Sequence, residues 1–299
     1  MKNNVTIENY DNDILSTLPV ELKEARNQEI ETDIDTLRDM TNIGDPENIK
    51  LKEEVIKGIL REGKTMVLMG HREAFMEKMI IETALSISSG RDWLGIPVKK
   101  SKTLFVDLVG TEQVCLEDMD RVKKAMDIED ADLPYVWYPC STVHNLKDFK
   151  EGLCRIVEES RSGGNNQGIS VIVIEHAGYS FGNGSADAND ENKAREFRKT
   201  ISEISAKTGC SLIFRWDLEN DAIFKRDLFD KALGSPYIVE DHAAVVALTT
   251  NRKKIRLNKY ENRKVVESYW TVKTELEDFN NIDPINIAFN GNIHYLDID

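Results

Sequence analysis

The chain has 299 residues, 40% of them hydrophobic, enough to bury one large α/β core or two modest ones. Its 39 Lys+Arg against 53 Asp+Glu give a net charge of −14, which argues against a general nucleic-acid coat. No run approaches the roughly 18 apolar residues of a membrane span, and MKNNVTIENYDND is acidic where a signal peptide would be basic then apolar, so a cytosolic protein with no membrane contact is expected.

Residues 1–50 carry twelve acids against five bases, a net of −7, and so hold half of the acidic excess. They read as a partly disordered acidic arm, with weak helices around Leu18–Ile30 and Ile34–Met40; the other reading is an arm that docks a partner. Cys115, Cys140, Cys154 and Cys210 form no CxxC pair and read as buried free thiols of a reducing compartment.

The texture changes at residue 51. LKEEVIKGILREGK predicts a short amphipathic helix or turn leading to TMVLM, an apolar run of the kind a buried parallel strand shows. A helix is expected over Arg72–Ser89, stopping at Gly90. SKTLFVDLVG gives a second strand ending in an acid, followed by a helix from Glu112 to Met126, a short strand in LPYVWYP and a helix over Asn145–Ser160. ISVIVIEH (169–176) has four β-branched residues in a row and is the strongest strand signal; a polar loop separates it from a helix near Lys193–Thr208. CSLIFRW and HAAVVALTT are the next strands, and this alternation predicts a mostly parallel sheet covered on both faces. From Asn251 onward, strand, polar turn, strand and a terminal hairpin in INIAFNGNIHYLDI predict an antiparallel extension at the sheet edge. The organisation expected is an arm (1–50), a core (51–250) and a C-terminal β extension (251–299) of the same domain.

The strand–turn–helix over 65–95 is where a phosphate-binding loop should be. Such a loop reads GxxxxGK[ST]: glycines let backbone N–H groups close on the phosphates, the lysine reaches the outer phosphate oxygens, and the hydroxyl holds magnesium. Counting from Gly70, Phe75 stands at the second glycine, Met76 at the lysine and Glu77 at the Ser/Thr. A Met supplies no charge, a carboxylate in the first helical turn repels phosphate, and Phe does not take glycine's backbone geometry freely. Its ring is expected in the space that the loop needs open. Lys78, two positions on at about 100° per residue, points elsewhere. Arg72 and Arg215 could hold an anion or be solvated, and His71 reads as exposed.

VIKGILREGKTMVLMG, leading into the first strand, and SSGRDWLGIPVKKSKTLFVDL, leaving the helix, resemble the corresponding stretches of RecA-like P-loop ATPases of the AAA-25 or RepA-type hexameric helicase group. Gly90, fourteen residues after Met76, matches that family's spacing. The resemblance covers about residues 53–275 and implies a RecA-like three-layer α/β fold. It sets Val109 where many members have the carboxylate that activates water, Glu175 at the magnesium-side acid, and Arg215 and Trp216 where relatives carry a His pair or polar sensor. No catalytic residue is then expected, Glu175 being the one plausible remnant, and neither cofactor nor metal. ATP and magnesium enter only under the alternative of a divergent but active ATPase. The resemblance also implies a homo-oligomer, or a partnership with a related active subunit, and an accessory role in DNA replication or recombination encoded by a mobile element.

Two further constellations have competing readings. Asp187, Asp190 and Glu191 could bind a metal but read better as a solvated helix start. Seven basic residues lie between Asn251 and Lys264: Arg252, Lys253, Lys254, Arg256, Lys259, Arg263 and Lys264. They could reach a neighbouring subunit, as the resemblance implies for Lys259 and Arg263, could contact DNA phosphates, or could simply keep a sheet edge from pairing.

Overall fold

The computed structural model describes residues 52–70, 74–128, 135–137, 145–162, 168–181, 189–218, 235–240, 242–250, 268–276 and 279–296. The chain divides after Leu51, and all described residues belong to the unit Lys52–Asp299. The expectations for the acidic arm, Cys140, His71, Arg72, Asp187 and the whole basic stretch 251–264, with Arg252, Lys253, Lys254, Arg256, Lys259 and Arg263, therefore lie outside the described residues.

In chain order the elements are β1 (Glu54–Ile56), β2 (Leu60–Arg61), β3 (Thr65–Gly70), α1 (Met76–Ser89), β4 (Thr103–Asp107), α2 (Glu112–Ala125), β5 (Tyr135–Trp137), α3 (Leu146–Ser162), β6 (Val171–Glu175), α4 (Glu191–Thr208), β7 (Ser211–Asp217), β8 (Ala244–Thr250), β9 (Ser268–Leu276), β10 (Ile285–Phe289) and β11 (His294–Leu296). One nine-stranded sheet runs β11-β10-β9-β8-β3-β7-β6-β4-β5. The six strands from β8 to β5 are parallel, and β8/β9, β9/β10 and β10/β11 are antiparallel. The expected parallel core with an antiparallel C-terminal extension is what forms.

Strand side chains alternate between two cores, as the two-residue strand period requires. Val67, Met69, Leu104, Val106, Ile172, Ile174, Leu212 and Phe214 pack with Phe149, Leu153 and Val157 of α3 and Phe197, Ile201 and Ile204 of α4. On the opposite face Met66, Leu68, Phe105, Val171, Val173 and Ile213 pack with Met79, Ile80 and Leu85 of α1 and Cys115, Met119 and Val122 of α2. Continuous burial of β3, β4 and β6 explains why these strands read as unbroken apolar runs. Cys115, Cys154 and Cys210 are buried thiols and form no disulfide among the described residues. No helix among the described residues is long and apolar enough to cross a membrane.

Two local expectations are corrected. The segment expected as an amphipathic helix or turn is a small antiparallel hairpin, β1–β2, with Ile56 opposite Leu60. Gly58 supplies the left-handed backbone (φ 70°) of its turn and donates its N–H to Glu54 Oε2 at 2.8 Å. The helix expected from Arg72 begins at Met76, because Phe75 stands before it in the left-handed conformation (φ 52°, ψ 45°) and breaks the helical path. It ends as expected, with Gly90 (φ 81°) closing onto Ser86 O at 2.8 Å.

Candidate functional site

In a parallel sheet, ligands bind at the carboxyl ends of the strands. Here β3, β7, β6 and β4 lie side by side and end in Gly70, Asp217, Glu175 and Asp107. Gly70 is paired with Asp217, and Asp107 with Glu175, so these residues form one row at one edge.

At the β3 end, Met76 is fully buried and its side chain lies against Gly70: a Cβ placed on Gly70 would stand 2.1 Å from Met76 Sδ. The residue at the expected lysine position has thus turned inward onto the end of β3. Glu77 follows in the first turn of α1, half-buried. Lys78 pairs at 2.8 Å with Asp118 of α2, so its ammonium is directed to the neighbouring helix. Phe75 departs from expectation, since it does adopt the left-handed backbone that glycine favours. Its ring stacks on Phe289 of β10, centroids 4.2 Å apart and planes 21° from parallel. Met76 packs on Gly70, and the Phe75 ring packs on β10.

The other three strand ends hold a polar cluster. The Arg215 guanidinium donates to Glu175 Oε1 and, at 2.8 Å, to Asp217 Oδ1. His176, itself left-handed (φ 57°), has Nδ1 3.1 Å from Asp107 Oδ1 and Nε2 3.5 Å from Glu175 Oε1. Asp107 Oδ1 also accepts the N–H groups of Val109 and Gly110, each at 3.0 Å. Glu175 is 3% exposed, and among the described residues its Oε2 has no hydrogen-bond partner.

Burial pushes the Glu175 carboxyl up to about 7, against the lowering pull of Arg215 and His176 and with Asp107 adding to the rise. For Asp107 burial also pushes upward, but the hydrogen bonds from His176, Val109 and Gly110 outweigh it and the net direction is down. Burial alone would lower His176; the bond to Asp107 and the charges of Glu175 and Asp107 raise it instead. The dominant effect on Arg215 is likewise burial, which lowers its affinity for a proton, but Glu175 and Asp217 reverse it.

The donor set is a poor match for magnesium and a nucleotide triphosphate. Such a ligand brings about four negative charges that lysine, magnesium and arginine must stabilise. The Glu175 oxygen that faces a cation here already faces a guanidinium, and Arg215 is held by two carboxylates, which argues against its standing in for the lysine. Val109, at the expected position of the water-activating carboxylate, presents an apolar side chain that is 45% exposed. Trp216 turns the other way and packs 5.5 Å from Phe197 in the α3–α4 core, so it has no place in the row. Among the described residues no group of three His, Cys, Asp or Glu has the arrangement of a metal site. Asp190 instead caps α4, its Oδ1 accepting from the N–H groups of Asn192 and Lys193, and Glu191 lies in the first turn.

The sequence marked the acid that ends the second strand, Asp107, and Glu175 as strand-end carboxylates, and Arg215 separately, but not His176 or Asp217 as their partners. The available signal was the pair Glu-His closing one apolar run and Arg-Trp-Asp closing the next, on strands that the alternation makes neighbours.

Sheet order, two helical layers and a row of polar strand ends beside a strand–turn–helix define the RecA-like P-loop ATPase class. The chain belongs to the AAA domain family AAA_25, whose model matches residues 34–215. Among solved structures it is similar to a KaiC-like protein from the hyperthermophilic archaeon Pyrococcus horikoshii OT3, with 13% identity and a TM-score of 0.50 over 81% of this chain and 93% of that one; at this identity the likeness shows the fold. A comparison with curated proteins found no match.

Proposed function

We propose that this AAA_25 member is a non-catalytic homologue of its family, a pseudo-ATPase that serves as an oligomerising or accessory scaffold. The observation that carries the reading is the burial of Met76 against Gly70, at the position where phosphate binding needs an exposed lysine. Two others support it: the pairing of Arg215 with Glu175 and Asp217, and the apolar side chain of Val109. Each removes a part that phosphoryl transfer requires, since that reaction is catalysed by positioning and charge stabilisation. The accessory role in DNA replication or recombination, the mobile-element origin and the pairing with like or active subunits rest on the sequence resemblance. The test is a magnesium-dependent ATP-turnover assay of the native chain and Glu175→Gln, run beside a sedimentation measurement of subunit number. Absence of turnover with a self-associated chain is the expected result. Turnover that Glu175→Gln abolishes would establish the active-ATPase alternative.

A further inference from the structure

Phe75 is the one residue of the described turn whose backbone ought to be unfavourable. A left-handed conformation costs a residue with a Cβ roughly 1–2 kcal/mol, and such a residue persists only where its surroundings hold it. The surroundings come from more than 200 residues away in the sequence, in the C-terminal hairpin β10–β11.

Phe289, 2% exposed, lies stacked on the Phe75 ring. His294 reaches the same turn from the other strand. Its Nε2 donates to Ala74 O at 3.0 Å, its backbone N–H donates to Glu82 Oε1 at 3.1 Å, and its Nδ1 lies 2.9 Å from that oxygen. Because Ala74 O can only accept, Nε2 carries a proton; one further proton lies between Nδ1 and the Glu82 carboxyl, and on either atom it completes the bond. The His294 ring also lies 4.7 Å from the Phe289 ring. Both residues are fixed to each other by the hairpin turn, in which Asn290 Oδ1 accepts the N–H groups of Asn292 and Ile293 at 2.9 and 3.1 Å. Two strands thus grip three features at the start of this segment: the carbonyl of Ala74, the ring of Phe75 and, two turns on, the carboxyl of Glu82.

We propose that the β10–β11 hairpin is a built-in clamp that holds Ala74, Phe75 and the first turns of α1 in order, taking the place of the bound ligand that orders the start of this helix in a working site. The clamp is read from the contacts alone; that it takes a ligand's place rests on the pseudo-ATPase reading. Phe289 and His294 are positioning residues of the turn.

Hydrogen exchange of the full chain separates the two statements. The amides of Lys78 and Met79, which donate to Phe75 O at 2.9 and 3.2 Å, report the first turn of α1, and those of β4 and β6 report the core. Phe289→Leu keeps an apolar side chain but removes the stack; it is expected to speed exchange at Lys78 and Met79 by about tenfold while β4 and β6 keep their protection. In a Phe75→Gly background, where the left-handed backbone costs nothing, the effect of Phe289→Leu is expected to fall to less than about threefold. Should Phe289→Leu loosen β4 and β6 as well, His294→Asn, which takes away the ring's bonds to Ala74 and Glu82 and spares the Phe75–Phe289 stack, must produce the local loss. Unchanged exchange at Lys78 and Met79 in these variants would overturn the clamp. Addition of magnesium and ATP is the second arm. No change in protection, in the native chain or in Phe289→Leu, supports the substitution of clamp for ligand; restored protection would leave the clamp standing and overturn both that substitution and the proposed function.

Discussion

The sulfur of Met76 lies where a side chain on Gly70 would begin. A methyl group added at Gly70 would stand 2.1 Å from Sδ and 2.8 Å from Cγ, and Met76 is fully buried, so the thioether has little room to withdraw. Gly70→Ala is expected to destabilise the fold by about 1–3 kcal/mol through overpacking. Met76→Ala in the same chain should recover part of that loss, because the two changes share one space. Urea unfolding of the two single variants and the double variant checks this; additive losses would show that the two residues do not compete.

Phe75 gives a prediction that runs against the usual order of helix formers. Phe75→Ala loses the stack on Phe289, worth about 0.5–1.5 kcal/mol beyond its buried area, and keeps the left-handed backbone with a Cβ. Phe75→Gly loses the same stack but removes the backbone cost. The glycine variant should therefore be the more stable of the two, by about 1 kcal/mol. Comparing their denaturation midpoints decides it, and an alanine variant equal to or better than glycine contradicts the conformation assigned to Phe75.

Arg215 and Glu175 are the buried charges whose separation should cost most. Above pH 7, where Glu175 is ionised, Arg215→Met leaves its carboxylate buried without a guanidinium partner and is expected to destabilise by about 3–5 kcal/mol. Arg215→Met combined with Glu175→Leu should be much less harmful than the sum of the single changes. Thermal unfolding of the three variants tests the coupling, and a double variant as unstable as the sum would remove it.

The same cluster sets a pH dependence. Burial raises Glu175 from 4.5 to about 7 in the folded chain, so the folded state holds a proton that the unfolded state releases. Its contribution is fully present below about pH 4.5 and is lost as pH rises toward 7, by up to about 3 kcal/mol at one pKa unit per 1.36 kcal/mol. His176, raised from 6.5, acts in the same sense: its contribution is present below 6.5 and lost as pH climbs through its folded value. Asp107 acts oppositely, since its lowered carboxyl contributes above about 3.8 and fails as pH falls through its folded value. Stability should decline between pH 5 and 8, and Glu175→Gln should flatten that decline. A native chain that becomes more stable over this interval would contradict the assignment.

Most of the sheet was legible because its strands are buried on both faces and so read as apolar runs: Val171–Ile174 is the plainest case. The two helical layers followed from the alternation of those runs with amphipathic stretches. The strand–turn–helix between Gly70 and Gly90 was legible as well, with Gly90 closing the helix as its position suggests. What stayed hidden depends on residues distant in sequence. That Phe75 could take a glycine's backbone conformation required Phe289, and nothing in the sequence around residue 75 announces a ring more than 200 positions away. Nothing in the sequence around Glu82 announces His294, which reaches it from β11. His176 follows β6 and Asp217 ends β7, and neither stands out from an ordinary polar strand end until sheet order makes β4, β6 and β7 neighbours. The hairpin at Glu54–Arg61 was missed for a local reason: the charged residues around Gly58 give a helical count that the left-handed glycine overrides.

The central claim is that the frame of the site remains while its chemistry has gone, and calorimetric titration of magnesium and ATP into the purified chain tests it most directly. The same titration is made into a chain carrying Phe75→Gly, Met76→Lys and Glu77→Thr, which restores the phosphate-binding pattern from Gly70 onward. The account predicts no heat of binding for the native chain and a saturable isotherm for the restored one. Tight binding by the native chain would contradict it, and Glu175 and Arg215 would then be the residues to replace next.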